Sequence, residues 1–225
     1  MFNNYFFSHG ISFHFVFGGT MKANTKFVLK EFLRFVIYGI ITILLLLLVF
    51  GVTHLDFVQN GNIPENAITE ILQEILIFIS AGIFAYLAYK ENTKGLWLVA
   101  GFLSCMFIRE LDILFDMIFH GAWKYIAIPL AVFFIILALQ SGIQPVIDDM
   151  ACFMKKKSYP FLVISLLLLL FVSRIFGSIH LVELVSPKNC QYAMKNFMEE
   201  GLELFGYLLL FIISCFYYYE YRIKK

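Results

Sequence analysis

Six apolar segments of roughly 20 residues alternate with short polar segments along the chain. They lie at about 32–52, 70–89, 95–119, 123–143, 158–178 and 199–219. An α-helix rises about 1.5 Å per residue, so each segment can cross a hydrocarbon core about 30 Å thick. Backbone polar groups in lipid must be satisfied within the chain, which favours helices in these segments. The pattern therefore predicts an all-α, polytopic membrane protein that folds as a six-helix bundle.

Composition supports the membrane interpretation and limits the classes of binding partner that are expected. The chain is 61% hydrophobic and 15% charged, whereas a soluble domain carries about 25% charged residues. With a net charge of +1 and no basic stripe, a nucleic-acid partner is not expected, and membrane lipid is the expected one. The four cysteines form no CxxC pair, which argues against a zinc knuckle or a redox pair.

Two regions are predicted: a cytoplasmic N-terminal segment over residues 1–31 and a single membrane domain over residues 32–222. The first 20 residues are rich in aromatic side chains and poor in basic ones. They are unlike a signal peptide, which begins with a basic region. Met21 is followed by the basic residues that precede the first span, so an alternative hypothesis is that the native chain starts at Met21 and residues 1–20 are not native.

Basic residues predict the orientation, because loops rich in Lys and Arg stay in the cytoplasm. If the N-terminus is inside, 12 of the 17 basic residues face the cytoplasm: Lys22, Lys26, Lys30, Arg34, Lys90, Lys94, Lys155, Lys156, Lys157, Arg222, Lys224 and Lys225. Both termini are therefore predicted to be inside. The abundance of Phe, Ile, Asn, Lys and Tyr is typical of an AT-rich bacterial genome, which suggests the bacterial cytoplasmic (inner) membrane.

Acidic residues show the opposite bias. In this orientation 11 of 16 lie on the outer side or in outer halves of spans: Asp56, Glu65, Glu70, Glu74, Glu110, Asp112, Asp116, Glu183, Glu199, Glu200 and Glu203. Acidic residues contribute little to topology, so the positive-inside rule does not predict this bias. The bias indicates either a functional site or a network of ion pairs.

The third segment carries a polar stripe. At 100° per residue Arg109, Asp112, Asp116 and His120 fall within an arc of about 80°, and Glu110 is expected to point elsewhere.

Four charged residues on four different helices are predicted to share one depth, about 9–10 Å outside the midplane. They are Glu74, Asp116, Arg174 and Glu203. A charge in the bilayer costs at least about 2.5–3.5 kcal/mol on insertion scales, so such residues face one another or water. The four are therefore expected to approach one another inside the bundle.

Candidate roles follow from the side-chain types. Carboxylates can act as acid and base or hold a divalent ion, and the candidate catalytic residues are Glu74, Asp112, Asp116 and Glu203. A guanidinium is well shaped to hold phosphate, and the candidate substrate-binding residues are Arg109, Arg174, Glu70, Glu199 and Glu200. Added histidine would admit Zn²⁺ beside Mg²⁺, Ca²⁺ or Mn²⁺, and the candidate metal ligands are His120, His180, Asp116 and Glu203. A divalent metal ion is the candidate cofactor.

Three functions remain open. The first is an enzyme, a hydrolase or transferase that acts on lipid head groups or lipid-linked substrates at the outer leaflet. The second is an ion- or proton-coupled transporter. The third is a structural or regulatory membrane subunit, in which Arg109 pairs with Glu110 or Asp112, and Arg174 pairs with Glu203 or Glu74, to fix the helix register. Transporter sites tend to lie at the midplane, whereas the inner halves of these spans are apolar. This favours a site open to one face.

Overall fold

The computed structural model describes residues 20–60, 67–183 and 190–223, and every regular element in these ranges is a helix. The elements are α1 Thr20–Asn60, α2 Ile68–Lys90, α3 Lys94–Glu110, α4 Asp112–Asp116, α5 Trp123–Leu139, α6 Ile143–Met154, α7 Tyr159–Leu167, a π-helical turn Leu168–Val172, α8 Ser173–Phe176, α9 Ile179–Glu183 and α10 Gln191–Ile223. The prediction of an all-α chain is confirmed. The hypothesis about residues 1–20 concerns residues that, apart from Thr20, lie outside the described ranges.

Several of these helices can cross a membrane. Four are long and apolar enough: Thr25–Gln59, Ile68–Lys90, Tyr159–Phe176 and Gln191–Arg222. A fifth candidate is the pair α5 and α6, which pass the same criterion together but meet at an angle of 98°. The chain is therefore a helical, multi-pass membrane protein with four or five such candidates in its described part.

The third apolar segment is not the continuous helix that was predicted over 95–119. Helix α3 ends at Glu110, the chain turns at Leu111, and the short helix α4 begins at Asp112. Aspartate is a poor residue for the interior of a helix but is favourable in a first turn, where its charge faces the positive end of the helix dipole. Asp112 therefore suits the start of a new helix better than the continuation of α3.

Consecutive helices of the bundle run in alternating directions. Helices α2 and α10 are parallel, because Gln73 contacts Glu200 near their starts and Phe84 contacts Tyr217 near their ends. Helix α3 runs antiparallel to α2, and Phe107 near its end packs against the α2 ring of Phe78, with centroids 5.2 Å apart.

Helices α5 and α7 continue this alternation. Helix α5 is antiparallel to α3, since Trp97 packs against Phe134 and the Cys105 thiol reaches the Ala127 carbonyl. The segment from α7 to α8 is antiparallel to α10. The hydroxyl of Ser158, just before α7, donates to Glu220 at 2.7 Å, and the other end of the segment contacts the start of α10.

The core between these helices is apolar and closely packed. Its largest fully buried side chains include Tyr207, Tyr217, Phe84, Ile77, Leu87, Leu96, Leu103, Leu204 and Leu210. A Cβ at Gly101 would lie 2.5 Å from the Phe134 Cβ, so this glycine allows α3 and α5 to approach closely. Buried serines such as Ser80 and Ser214 bond to carbonyls one turn earlier in their own helices, which satisfies their hydroxyls without a polar partner elsewhere.

The described chain divides into two units, residues up to Leu44 and residues from Leu45 onward. The described part of the first is a helix with most of its large apolar side chains exposed, and it carries an ion pair of 2.6 Å between Arg34 and Glu31. The second holds the core and the polar residues discussed below.

Candidate functional site

A polar cavity of about 290 Å³ lies between the first turns of α2, the end of α3, helix α8 and the first half of α10. Its walls belong to the unit that begins at Leu45. The lining residues are Glu70, Gln73, Glu74, Arg109, Glu110, Asp112, Ile113, Arg174, Lys195, Asn196, Glu199, Glu200 and Glu203. Eight of the eleven residues named as candidates from the sequence line this one cavity.

Carboxylates outnumber cations in the cavity. It holds seven acidic side chains and three basic ones, so the ionised set would carry a net formal charge of −4. Each cation is already paired: Arg109 contacts Glu110 at 3.2 Å, and Lys195 contacts Glu199 at 2.9 Å. Arg174 contacts two acids, described next. The excess charge is therefore not neutralised by the cavity's own side chains.

Arg174 bridges two turns of α10. Its guanidinium lies 2.6 Å from Glu199 and 3.1 Å from Glu203, and the Ser173 hydroxyl also approaches Glu203 at 3.3 Å. Both glutamates are buried, at 8% and 5% exposure. A Cβ at Gly177 would lie 2.6 Å from the Glu199 carboxyl, so this glycine makes room for the carboxyl beside the arginine. Nothing in the sequence pattern indicates that role.

Glu110 lines the cavity, so the prediction that it points elsewhere was wrong. Its carboxylate accepts a hydrogen bond of 2.8 Å from the Tyr207 hydroxyl in addition to the contact with Arg109. Glu110 lies four residues after Met106 and seven after Leu103, which are both buried. It therefore continues the interior face of α3, and this spacing could have identified it.

Gln73 joins the two parallel helices at the cavity floor. This buried side chain donates to the Glu200 carboxylate at 3.1 Å and to the Glu200 backbone carbonyl at 3.2 Å. It was not among the sequence-predicted site residues. A buried amide with both contacts on one residue fixes the register between α2 and α10.

Two cavity carboxylates stand apart from this network. Within the described chain, Glu74 and Asp112 make neither a hydrogen bond nor an ion pair, although both line the cavity. Each is partly buried. They are the cavity carboxylates best placed to meet a ligand, because no neighbour must be displaced first.

Asp116, His120 and His180 lie outside the cavity, so the predicted approach of Asp116 to Glu74, Arg174 and Glu203 was wrong. The Asp116 carboxylate accepts a hydrogen bond of 2.7 Å from the Gly121 amide and contacts His120 at 2.8 Å. The turn at Leu111 ends the helical period on which the prediction depended.

The imidazoles are exposed and do not line the cavity. His180 approaches Glu183 at 3.9 Å, and the side chains of His120 and His180 are 99% and 89% exposed. Two of the four predicted metal ligands, Asp116 and His120, are in contact. The other two lie elsewhere, since Glu203 lines the cavity and His180 approaches Glu183 instead. No group of three or more His, Cys, Asp and Glu in the described ranges is arranged to hold a metal ion.

Asp56 explains part of the acidic bias by a structural role. Its buried carboxylate accepts hydrogen bonds from the Ile68 and Thr69 amides at 3.3 and 2.8 Å and from the Thr69 hydroxyl at 2.6 Å. These amides are unpaired donors at the start of α2, so Asp56 caps that helix from α1.

The cavity can thus bind a positively charged group or exchange protons with a bound molecule through its carboxylates. Its arginines keep further N–H donors, since a guanidinium has five. No protein-family model, no curated protein and no solved structure matches the chain. Its chemistry is therefore argued from these side chains and their geometry.

Proposed function

We propose that the chain is an enzyme of the bacterial cytoplasmic membrane that acts on lipid head groups or lipid-linked substrates at the outer leaflet. It would be a hydrolase or transferase with six spans and both termini inside. The observation that carries the proposal is the polar cavity, in which Glu74 and Asp112 have no described partner and lie beside two arginines with spare donors.

The alternating directions of the segments support the six-span topology. Helices α2, α3, α5, α7–α8 and α10 alternate, and α1 precedes them as a long apolar helix. In such a bundle the cavity lies at the end remote from Lys90, Lys94 and Arg222. The positive-inside rule assigns those basic residues to the cytoplasm, so the cavity would open to the outer leaflet.

The charge pattern favours a zwitterionic head group. The excess of carboxylates would attract an ammonium group, and Glu74 and Asp112 are the free acceptors for it. The remaining N–H donors of Arg109 and Arg174 would hold the adjacent phosphate. The same two carboxylates could serve as acid and base in the cleavage or transfer of the head group.

The alternatives are weaker on the same observations. A transporter needs a polar route to the opposite face, whereas the helices beyond the cavity meet through Ile77, Phe84 and Tyr217 in the buried apolar core. A structural subunit would need the ion pairs of Arg174 but not the carboxylates of Glu74 and Asp112, which pair with no described residue.

The test is lipid turnover by the reconstituted full-length protein. Vesicles of phosphatidylethanolamine and phosphatidylglycerol are incubated with wild type, Glu74→Gln and Asp112→Asn, and lipid products are measured by mass spectrometry per unit of folded protein. The control is Asp116→Asn, since its carboxylate lies outside the cavity. We expect turnover in wild type and in the control. Both cavity variants should lose turnover by at least about 100-fold, which is the lower end of the rate enhancement that general acid–base catalysis contributes. Equal turnover in all four proteins, or none in wild type, would refute the proposal.

A further inference from the structure

Helix α6 leaves the axis of α5 at an angle of 98°. The change of direction occurs at Gly142, whose φ of 90° and ψ of 175° belong to a region that is essentially restricted to glycine. The Gly142 amide donates to the Leu139 carbonyl at 2.9 Å, which closes the end of α5. Pro145 follows in the first turn of α6, where a missing amide donor costs nothing. The sequence itself therefore specifies the bend.

One face of α6 packs against the protein. Val146 and Phe153 are buried, and the Asp149 carboxylate accepts a hydrogen bond of 3.2 Å from the Gly95 amide at the start of α3. A Cβ at Gly95 would lie 2.8 Å from the Asp149 Cβ, so the two helices are in close contact. Helix α6 is thus held at the end of the bundle opposite the cavity.

A second face of α6 is apolar and exposed. Ile143, Ile147 and Met154 are 66%, 51% and 49% exposed, and at 100° per residue they fall within an arc of about 40°. Gln144 and Asp148 are exposed on the adjoining polar side. The helix therefore presents an apolar stripe and a polar stripe side by side, in addition to its protein contact.

The apolar stripe continues the exposed apolar surface of α5. That surface includes Val132, Phe133, Ile135, Ile136 and Leu139. Because α5 is part of a spanning candidate, we expect this surface to contact lipid, and the stripe of α6 extends it around the bend. The helix is followed directly by Lys155, Lys156 and Lys157, and the first and last of these are exposed. Basic residues at this position are attracted to anionic lipid head groups.

We propose that α6 is an interfacial helix that lies in the plane of the membrane on the cytoplasmic side. Its apolar stripe rests at the boundary between head groups and acyl chains, its polar stripe faces water, and the lysines contact anionic head groups. Such a helix needs apolar and polar faces that the bilayer surface can separate. The proposal depends on α5 crossing the bilayer and is independent of what the cavity binds.

Spin labels test the orientation in the full-length chain. Single cysteines are placed by Ile147→Cys, Met154→Cys, Asp148→Cys and Val132→Cys in a chain whose native cysteines are replaced, and Cys152 is kept alone in a fifth protein. All are reconstituted in vesicles of phosphatidylethanolamine and phosphatidylglycerol after a check of folding by size exclusion. Collision rates with oxygen and with a water-soluble nickel complex report lipid and water exposure, respectively.

We expect oxygen to dominate at 147 and 154 and the nickel complex to dominate at 148 and 152, with a several-fold contrast between the two stripes. Positions 147 and 154 should lie within about 5–10 Å of the interface, whereas position 132 should lie in the hydrocarbon core. Lipid exposure at all four α6 positions would indicate a re-entrant helix and overturn the proposal. Water exposure at 147 and 154 would also overturn it. A label at 132 outside the hydrocarbon core would show that α5 does not cross the bilayer, and this would refute the proposal for α6. The proposed substrate of the cavity would still be tested separately, by lipid turnover.

Discussion

The two ends of the α2–α10 pair are built from opposite kinds of side chain. In their first halves the parallel helices contribute Glu70, Glu74 and Glu200 to the cavity, with Gln73 bonded across the interface. At their far ends the same helices meet through aromatic rings. Tyr217 packs at 5.3 Å from Phe84 and, at the same distance, from Phe153 of α6.

This contrast suggests that one end of the helix pair stabilises the fold and the other end binds a ligand. The aromatic end is buried and apolar, and its contacts need no ligand to be satisfied. The acidic end keeps unneutralised carboxylates inside a membrane bundle, which is costly unless water or a ligand meets them. We therefore expect substitutions at the aromatic end to lower stability most, and substitutions at the acidic end to lower activity more than stability.

The largest stability loss is expected for Phe84→Ala. The ring is fully buried between α2, α6 and α10, and removal of a buried phenylalanine costs about 3–5 kcal/mol. The measurement is unfolding in mixed micelles with increasing denaturing detergent. The matched control is Phe78→Ala on the same helix, whose ring is 61% exposed. Equal losses in the two variants would contradict the assignment of the aromatic end as the stabilising core.

Much of this arrangement was predictable from sequence. The segments 70–89 and 199–219 fall within α2 and α10 because their length and continuous apolar character leave few alternatives. Their acidic first halves correctly indicated a shared polar region. The partner of Glu110 could not be found this way, because Tyr207 lies 97 positions further along the chain. The predicted position of Asp116 was wrong because the chain turns at Leu111, and a hydropathy pattern does not reveal such a break in a helix.

A smaller stability loss is expected for Arg174→Ala. The substitution leaves Glu199 and Glu203 without their guanidinium partner, and an unpaired buried polar group costs about 1–3 kcal/mol. The lower part of that range applies, since the arginine side chain is 49% exposed. Arg174→Lys should restore part of the loss, because lysine keeps the charge but not the two-armed geometry. The same unfolding assay measures both variants, and wild-type stability in Arg174→Ala would show that the bridge does not hold α8 to α10.

The smallest stability change is expected for Glu74→Gln. This substitution also best distinguishes a carboxylate that fixes the helix register from one that binds a ligand. Glu74 pairs with no described residue, so loss of its charge should change the free energy of unfolding by no more than about 0.5 kcal/mol. Glu203→Gln on α10 is the matched comparison, because it weakens the 3.1 Å contact with Arg174 and should destabilise the protein more. If both acids only fixed the helix register, the two substitutions would cost similar stability. A carboxylate that is dispensable for folding yet required for lipid turnover can only be retained for what it binds. A loss of stability in Glu74→Gln as large as that in Glu203→Gln would therefore return Glu74 to the structural network and remove it from the proposed site.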